Sequence, residues 1–148
     1  KFGKRKASHE EMVHSAKVAQ AYDFINKKEK KFDEPIGEGG SNVSGGQKQR
    51  LSIARALVRK PEIYIFDDSF SALDFKTDAI LRAELKKETT HAIVLIVAQR
   101  IGSIMDADKI IVLDEGNVVG IGKHKELLKT CSVYKEIALS QLTEEELA

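Results

Sequence analysis

The stretch Asn42-Val43-Ser44-Gly45-Gly46-Gln47-Lys48-Gln49-Arg50 combines residue types that suit phosphate. Ser44 stands three positions before Gln47, the spacing of a capping box. Gly45 and Gly46 let the backbone bend and come close to another molecule. A helix that opens here presents free backbone N–H groups and the positive end of its dipole. A hydroxyl, exposed amides and a helix end can together hold a terminal phosphate. The same pattern also describes an ordinary capped glycine loop with no ligand. Further along, the apolar run Ile63-Tyr64-Ile65-Phe66 is followed at once by Asp67-Asp68-Ser69. A carboxylate at the carboxyl end of a parallel strand lies where open α/β sheets bind ligands. Its hard oxygens suit Mg²⁺, directly or through water. The alternative is a pair of acids that cap the next turn.

Regular elements must position these groups. A helix is expected from near Gln47 to about Val58, apolar along Leu51, Ala54, Leu57 and Val58 and stopped by Pro61. Upstream, Ser8 with Glu10 and Glu11 reads as a helix start. Val13, Ala16, Val18, Ala19, Tyr22, Phe24 and Ile25 continue a helical apolar stripe, which Pro35 and the Gly37–Gly40 cluster end in a loop. Ile63–Phe66 is expected to be a strand buried on both faces. A helix follows near Lys76–Lys87, carried by Ile80, Leu81 and Leu85, then an apolar strand over Ile93–Ala98. Lys109–Leu113 and Asn117–Ile121 flank Asp114-Glu115-Gly116 as a hairpin, and helices near Lys123–Lys129 and Ser132–Leu142 close the chain. This order implies an α/β fold around a mostly parallel sheet with a hairpin at one edge.

Composition restricts the partners. The chain has 148 residues, and its 24 Lys+Arg against 23 Asp+Glu leave a net charge of +1. That balance gives no global attraction to nucleic acid or anionic lipid, so no nucleic-acid partner is expected. No apolar run approaches the roughly 20 residues needed to span a bilayer. Nor does the start, Lys1-Phe2-Gly3-Lys4-Arg5, look like a signal peptide. A membrane connection is therefore expected through a partner or through further chain. Cys131 is the only cysteine and fits a reducing compartment. His9, His14, His91 and His124 show no metal spacing.

Taken together, these motifs resemble the ATP-binding cassette family. Val43-Ser44-Gly45-Gly46-Gln47 resembles the family signature, and Ile63–Asp67 resembles its Walker B strand. Ser71-Ala72-Leu73-Asp74 resembles the D-loop, which in the family runs between two nucleotide-binding domains. Val97-Ala98-Gln99-Arg100 falls at the family's switch position. Gly37-Glu38-Gly39-Gly40 resembles the loop by which exporters contact their membrane domains, and Gly122–Leu127 resembles an exporter stretch near the domain end. A P-loop needs Gly-x-x-x-x-Gly-Lys, but Gly46 stands where the lysine would follow Gly40 and Gly45. The resemblance therefore implies a partial P-loop-type ATPase core plus the α-helical signature subdomain. Residues 1–60 would form the helical subdomain and 61–148 the carboxyl-terminal part of the core. A piece of this kind is expected neither to hold ATP tightly nor to hydrolyse it alone, and its uncovered sheet edge is expected to favour self-association.

The resemblance also assigns roles. Asp67 would hold Mg²⁺, and Ser44, Gly45, Gly46 and Gln47 would contact ATP bound to a second subunit. Two residues depart from the family pattern: Asp68 replaces the usual glutamate, and Gln99 replaces the usual histidine. Aspartate is one methylene shorter, and glutamine cannot carry a proton. Together they resemble the degenerate site of a heterodimeric exporter, whose two cassettes pack head to tail. The implied protein lies at the cytoplasmic face of the cell membrane, with membrane domains outside this chain. The competing readings are a soluble cassette ATPase acting on DNA or ribosomes, and a regulatory subunit that binds ATP without hydrolysing it.

Overall fold

A computed structural model gives the fold and describes residues 3–143. The chain divides into two compact units, Lys1–Val97 and Ala98–Ala148.

The first unit opens with α1 (His9–Val18), capped as its sequence dictates. The Glu11 N–H donates to Ser8 Oγ at 3.1 Å, and the Ser8 N–H donates to Glu11 Oε2 at 2.9 Å. The apolar stripe is not one helix. It breaks at Gln20, whose φ is +54°, and resumes as α2 (Tyr22–Asn26). The break is a helix stop closed by two backbone bonds, Ala21 N–H to Ala16 C=O and Gln20 N–H to Lys17 C=O. Glutamine occupies a position that usually takes glycine, which is why no breaker is visible in the sequence. Residues 31–44 form a loop with two short 3-10 turns.

Next comes α3 (Gly45–Leu57), then β1 (Ile63–Asp67), α4 (Phe75–Glu88) and β2 (Ile93–Val97). β1 and β2 pair in parallel, with Ile63 opposite Ile93 and Asp67 opposite Val97. Ile53 and Leu57 of α3, Tyr64 and Phe66 of β1, and Leu81 and Leu85 of α4 share one buried core with α1 and α2. Three expectations change here. The buried ridge of α3 is Ile53 and Leu57, with Leu51 and Ala54 only partly buried. Ile80 of α4 faces outward at 42% exposure. Strand β1 is buried on one face only: Ile63 and Ile65 are 53% and 69% exposed while Tyr64 and Phe66 are covered. A two-stranded sheet covered on one side must show alternation, even where both faces are apolar in sequence.

In the second unit, β3 (Ile110–Asp114) and β4 (Asn117–Gly122) form an antiparallel hairpin. Its turn residues Glu115 and Gly116 both have positive φ, +45° and +80°, as a two-residue turn of the I′ type requires. The hairpin forms a two-stranded sheet of its own. Helices α5 (His124–Thr130) and α6 (Ser132–Leu139) pack on it around Leu127, Cys131, Tyr134 and Ala138. No helix among the described residues is long and apolar enough to cross a membrane.

Candidate nucleotide site

Ser44 is the N-cap of α3, and the capping box is reciprocal. The Gln47 N–H donates to Ser44 Oγ at 3.3 Å, and the Ser44 N–H donates to Gln47 Oε1 at 3.1 Å. The cap uses the serine oxygen as acceptor and leaves its O–H as a donor. Gly45 and Gly46 sit in the first turn, where amides have no helical acceptor. Ser44 and Gly45 are exposed. Ser44 and Gly45 thus offer outward-facing donors that suit an anion.

The same turn is held against residues 68–74. A Cβ on Gly46 would come within 2.8 Å of the Ala72 carbonyl oxygen, so only glycine permits this approach. One turn on, the Gln49 amide clasps the loop. Its Nε2 donates to Asp68 C=O at 3.1 Å and to Ser71 Oγ at 3.0 Å, and its Oε1 accepts the Ala72 N–H at 3.0 Å. The expected signature residues and the expected Ser71–Asp74 loop are thus brought together within the first unit.

Asp67 ends β1 and is exposed, as is Asp68. Asp68 has φ +46°, a left-handed conformation uncommon for a non-glycine residue, and its N–H donates to Val97 C=O at 3.0 Å. That bond extends the β1–β2 pairing by one step and lets the chain turn away. Among the described residues no group of three or more His, Cys, Asp or Glu could hold a metal. An exposed carboxylate at a strand end, without a protein cage, fits Mg²⁺ bound jointly by one carboxylate, water and a nucleotide phosphate.

Asp74 caps α4, with Oδ1 accepting the Thr77 N–H at 2.9 Å and Oδ2 accepting the Thr77 hydroxyl at 2.7 Å. The backbone bond foremost, then the hydroxyl bond and, more weakly, the charge of Arg50 hold its carboxyl below the usual carboxylate range. A depressed folded-state pKa contributes stability above the unfolded value of about 3.9 and loses it as pH falls through the folded value. Asp74→Asn keeps an acceptor for the cap but has no proton to gain. The acid limb of stability against pH, followed by urea unfolding, is therefore expected to be shallower in Asp74→Asn than in the native chain. Superimposable limbs would refute this.

Gln99 follows β2 and lies in the second unit, exposed, with its carbonyl accepting Gln141 Nε2 at 2.7 Å. Sequence reasoning missed the contacts of Gln49, Arg50 and Gln141. Helical spacing offered a signal for the α3 pair. Gln49 and Arg50 precede the buried Ile53 by four and three positions, which puts them on its inward ridge. Burial pulls the Arg50 guanidinium below its ordinary value, which the Asp74 carboxylate opposes. For Gln141, no local pattern gives a signal.

The family model described as ABC transporter matches residues 3–71. An uncharacterized ABC transporter ATP-binding protein of Bacillus subtilis is 45% identical over 144 residues, covering 97% of this chain and 25% of that protein. The alpha-hemolysin translocation ATP-binding protein of Proteus vulgaris is 43% identical over 119 residues, covering 80% of this chain and 17% of that protein. A solved structure of a bacterial Atm1-family ABC exporter with ATP bound superposes with a TM-score of 0.89 at 36% identity, over 97% of this chain and 25% of that one. The chain thus spans about a quarter or less of the length of these relatives. With its α/β core and its signature-type helix, the chain belongs to the ABC transporter family and corresponds to part of the ATP-binding domain of its exporter-type members.

Proposed function

We propose that this chain is the signature-bearing part of an ATPase domain that drives a membrane exporter and pairs head to tail with a second, different cassette subunit. The capped turn Ser44–Gln47, held against Ala72, carries the reading. Ser44, Gly45, Gly46 and Gln47 contact the γ-phosphate of ATP bound to the partner. Ser71, Ala72, Leu73 and Asp74 lie along the contact between subunits. Asp67 holds Mg²⁺ on this subunit's own ATP. Asp68 orients the attacking water, and Gln99 faces the γ-phosphate. Both work poorly there: Asp68 is one methylene short of glutamate, and a displacement of about 1 Å can cost about 10²-fold in rate. Hydrolysis in the partner's site then drives the cycle. Residues 1–60 act as the helical subdomain and 61–148 as part of the core, at the cytoplasmic face of the membrane beneath membrane domains carried elsewhere.

The test uses the full-length chain assembled with its partner. Ser44→Ala is expected to lower ATPase activity about 10-fold or more, the scale of a lost hydrogen bond to a charged group. Asp68→Glu combined with Gln99→His is expected to raise it several-fold. Activity untouched by Ser44→Ala, or no rise in the double variant, would sink the scheme. No activity in any variant with ATP still bound would favour the regulatory reading.

A further inference from the structure

We propose that Gln141 is a positioning residue for Gln99. The inference rests on the reading of Gln99 as a phosphate-facing residue. Residues 98–100 belong to no helix or strand, so no ladder holds them. Downstream, Ile101 is anchored by burial in the second unit's core. Upstream of it, a side chain from beyond α6 reaches the backbone of the segment. Gln141 Nε2 donates to the Gln99 carbonyl at 2.7 Å, and Gln141 Oε1 accepts the Ile101 N–H at 2.9 Å. The two backbone groups flank Arg100, so a single amide fixes both ends of that residue.

Only an amide matches this pair of groups, because it offers a donor and an acceptor side by side. Gln141 is itself held in place. It lies just beyond the Ser140 cap of α6, and its N–H donates to Ala138 C=O at 3.1 Å. Ala138 and Tyr134 of α6 are buried in the same core as Ile101. Gln141 therefore ties an anchored helix end to the one stretch of this unit whose residue 99 has work to do. Neither bond need contribute much stability. What matters is that an unpinned carbonyl lets the Gln99 backbone rotate, and with it the direction of the side chain.

The test is a set of combined substitutions in the full-length chain assembled with its partner. Gln141→Leu keeps the approximate volume and removes both polar atoms. In the Asp68→Glu/Gln99→His background it is expected to remove most of that variant's several-fold gain in kcat, since a misplacement of about 1 Å can cost up to about 10²-fold at the affected site, and to leave KM for ATP within about twofold. Combined with Gln99→Ala it is expected to cause no further fall, because no phosphate-facing side chain remains to misplace. Equal falls in both backgrounds mark Gln141 as a purely structural residue and overturn the proposal, as does no fall in either. Should Gln141→Leu fail to assemble, Gln141→Glu keeps the acceptor for Ile101, drops the donor to Gln99 and is judged by the same two comparisons. If Gln99→His and Gln99→Ala give equal activity in the Asp68→Glu background, the phosphate-facing reading of Gln99 has failed first, and this proposal falls with it.

Discussion

Gly46→Ala is expected to lower ATP turnover of the assembled full-length protein about 10²-fold, the scale of an approximately 1 Å displacement at a reacting centre. Two effects oppose each other. Alanine is the better helix former, by about 1 kcal/mol over glycine in a helix interior. Against that, the new Cβ would stand 2.8 Å from the Ala72 carbonyl oxygen and 3.5 Å from Leu73 Cδ2. The nearer atom is backbone and belongs to the loop clasped by Gln49, so it cannot step aside. Overpacking of this sort costs about 1–3 kcal/mol, which exceeds the propensity gain. The strain would be relieved by moving the first turn of α3, the turn that presents Ser44 and the glycine amides. Gly45→Ala separates this from crowding of the ligand itself. Its Cβ meets only Ala72 Cβ at 3.7 Å, an ordinary contact. Any loss in Gly45→Ala therefore reports space needed on the phosphate side. Turnover of Gly46→Ala within about threefold of native would refute the argument, since the misplacement expected from the clash corresponds to about 10²-fold.

This contact shows where sequence was informative and where it was not. The Ser44–Gln47 box depends only on spacing of three, a local property, and so it is readable directly. The same holds for Ser8–Glu11 and for the Glu115-Gly116 turn. Strand and helix positions came within one to three residues of the observed ends, since apolar runs and Pro61 mark them. Gln20 was not legible. Its left-handed φ needs a glycine by local rules, but here the Arg50 side chain takes its carbonyl from 30 residues away. The exposure of Ile63 and Ile65 was not legible either, because an apolar run does not reveal how many of its faces are covered. Gln49 and Gln141 were invisible for a related reason. Each acts through backbone groups of a distant segment, and backbone groups carry no sequence signal. The motif residues could be named from their types, but the side chains that aim them could not.

Arg50 is the other residue whose loss should be felt widely. It joins three things at once. Its Nη1 donates to the Gln20 carbonyl at 2.7 Å, its Nε donates to the Gly46 carbonyl at 3.3 Å, and its guanidinium lies 4.9 Å from the centre of the Phe24 ring. The stop between α1 and α2 is thereby tied to the first turn of α3. Hydrogen bonds with a charged donor are worth about 1.5–3 kcal/mol each. The longer bond to Gly46 sits at the weak end of that range, and Arg50 is only partly buried, so about 2–3 kcal/mol for the whole side chain is a fair expectation. Arg50→Met keeps the apolar stem and removes every polar contact. Amides of α3 are then expected to exchange hydrogen about 10²-fold faster in the full-length chain, as local opening becomes cheaper by that amount. Arg50→Lys keeps the charge, but one ammonium cannot serve two carbonyls in fixed fork geometry, so an intermediate loss is expected. Exchange in α3 unchanged in Arg50→Met would show that the three contacts carry no load. A loss confined to α1 and α2 would show that the bond to Gly46 carries none, and that the first turn of α3 is held from the Ala72 side alone.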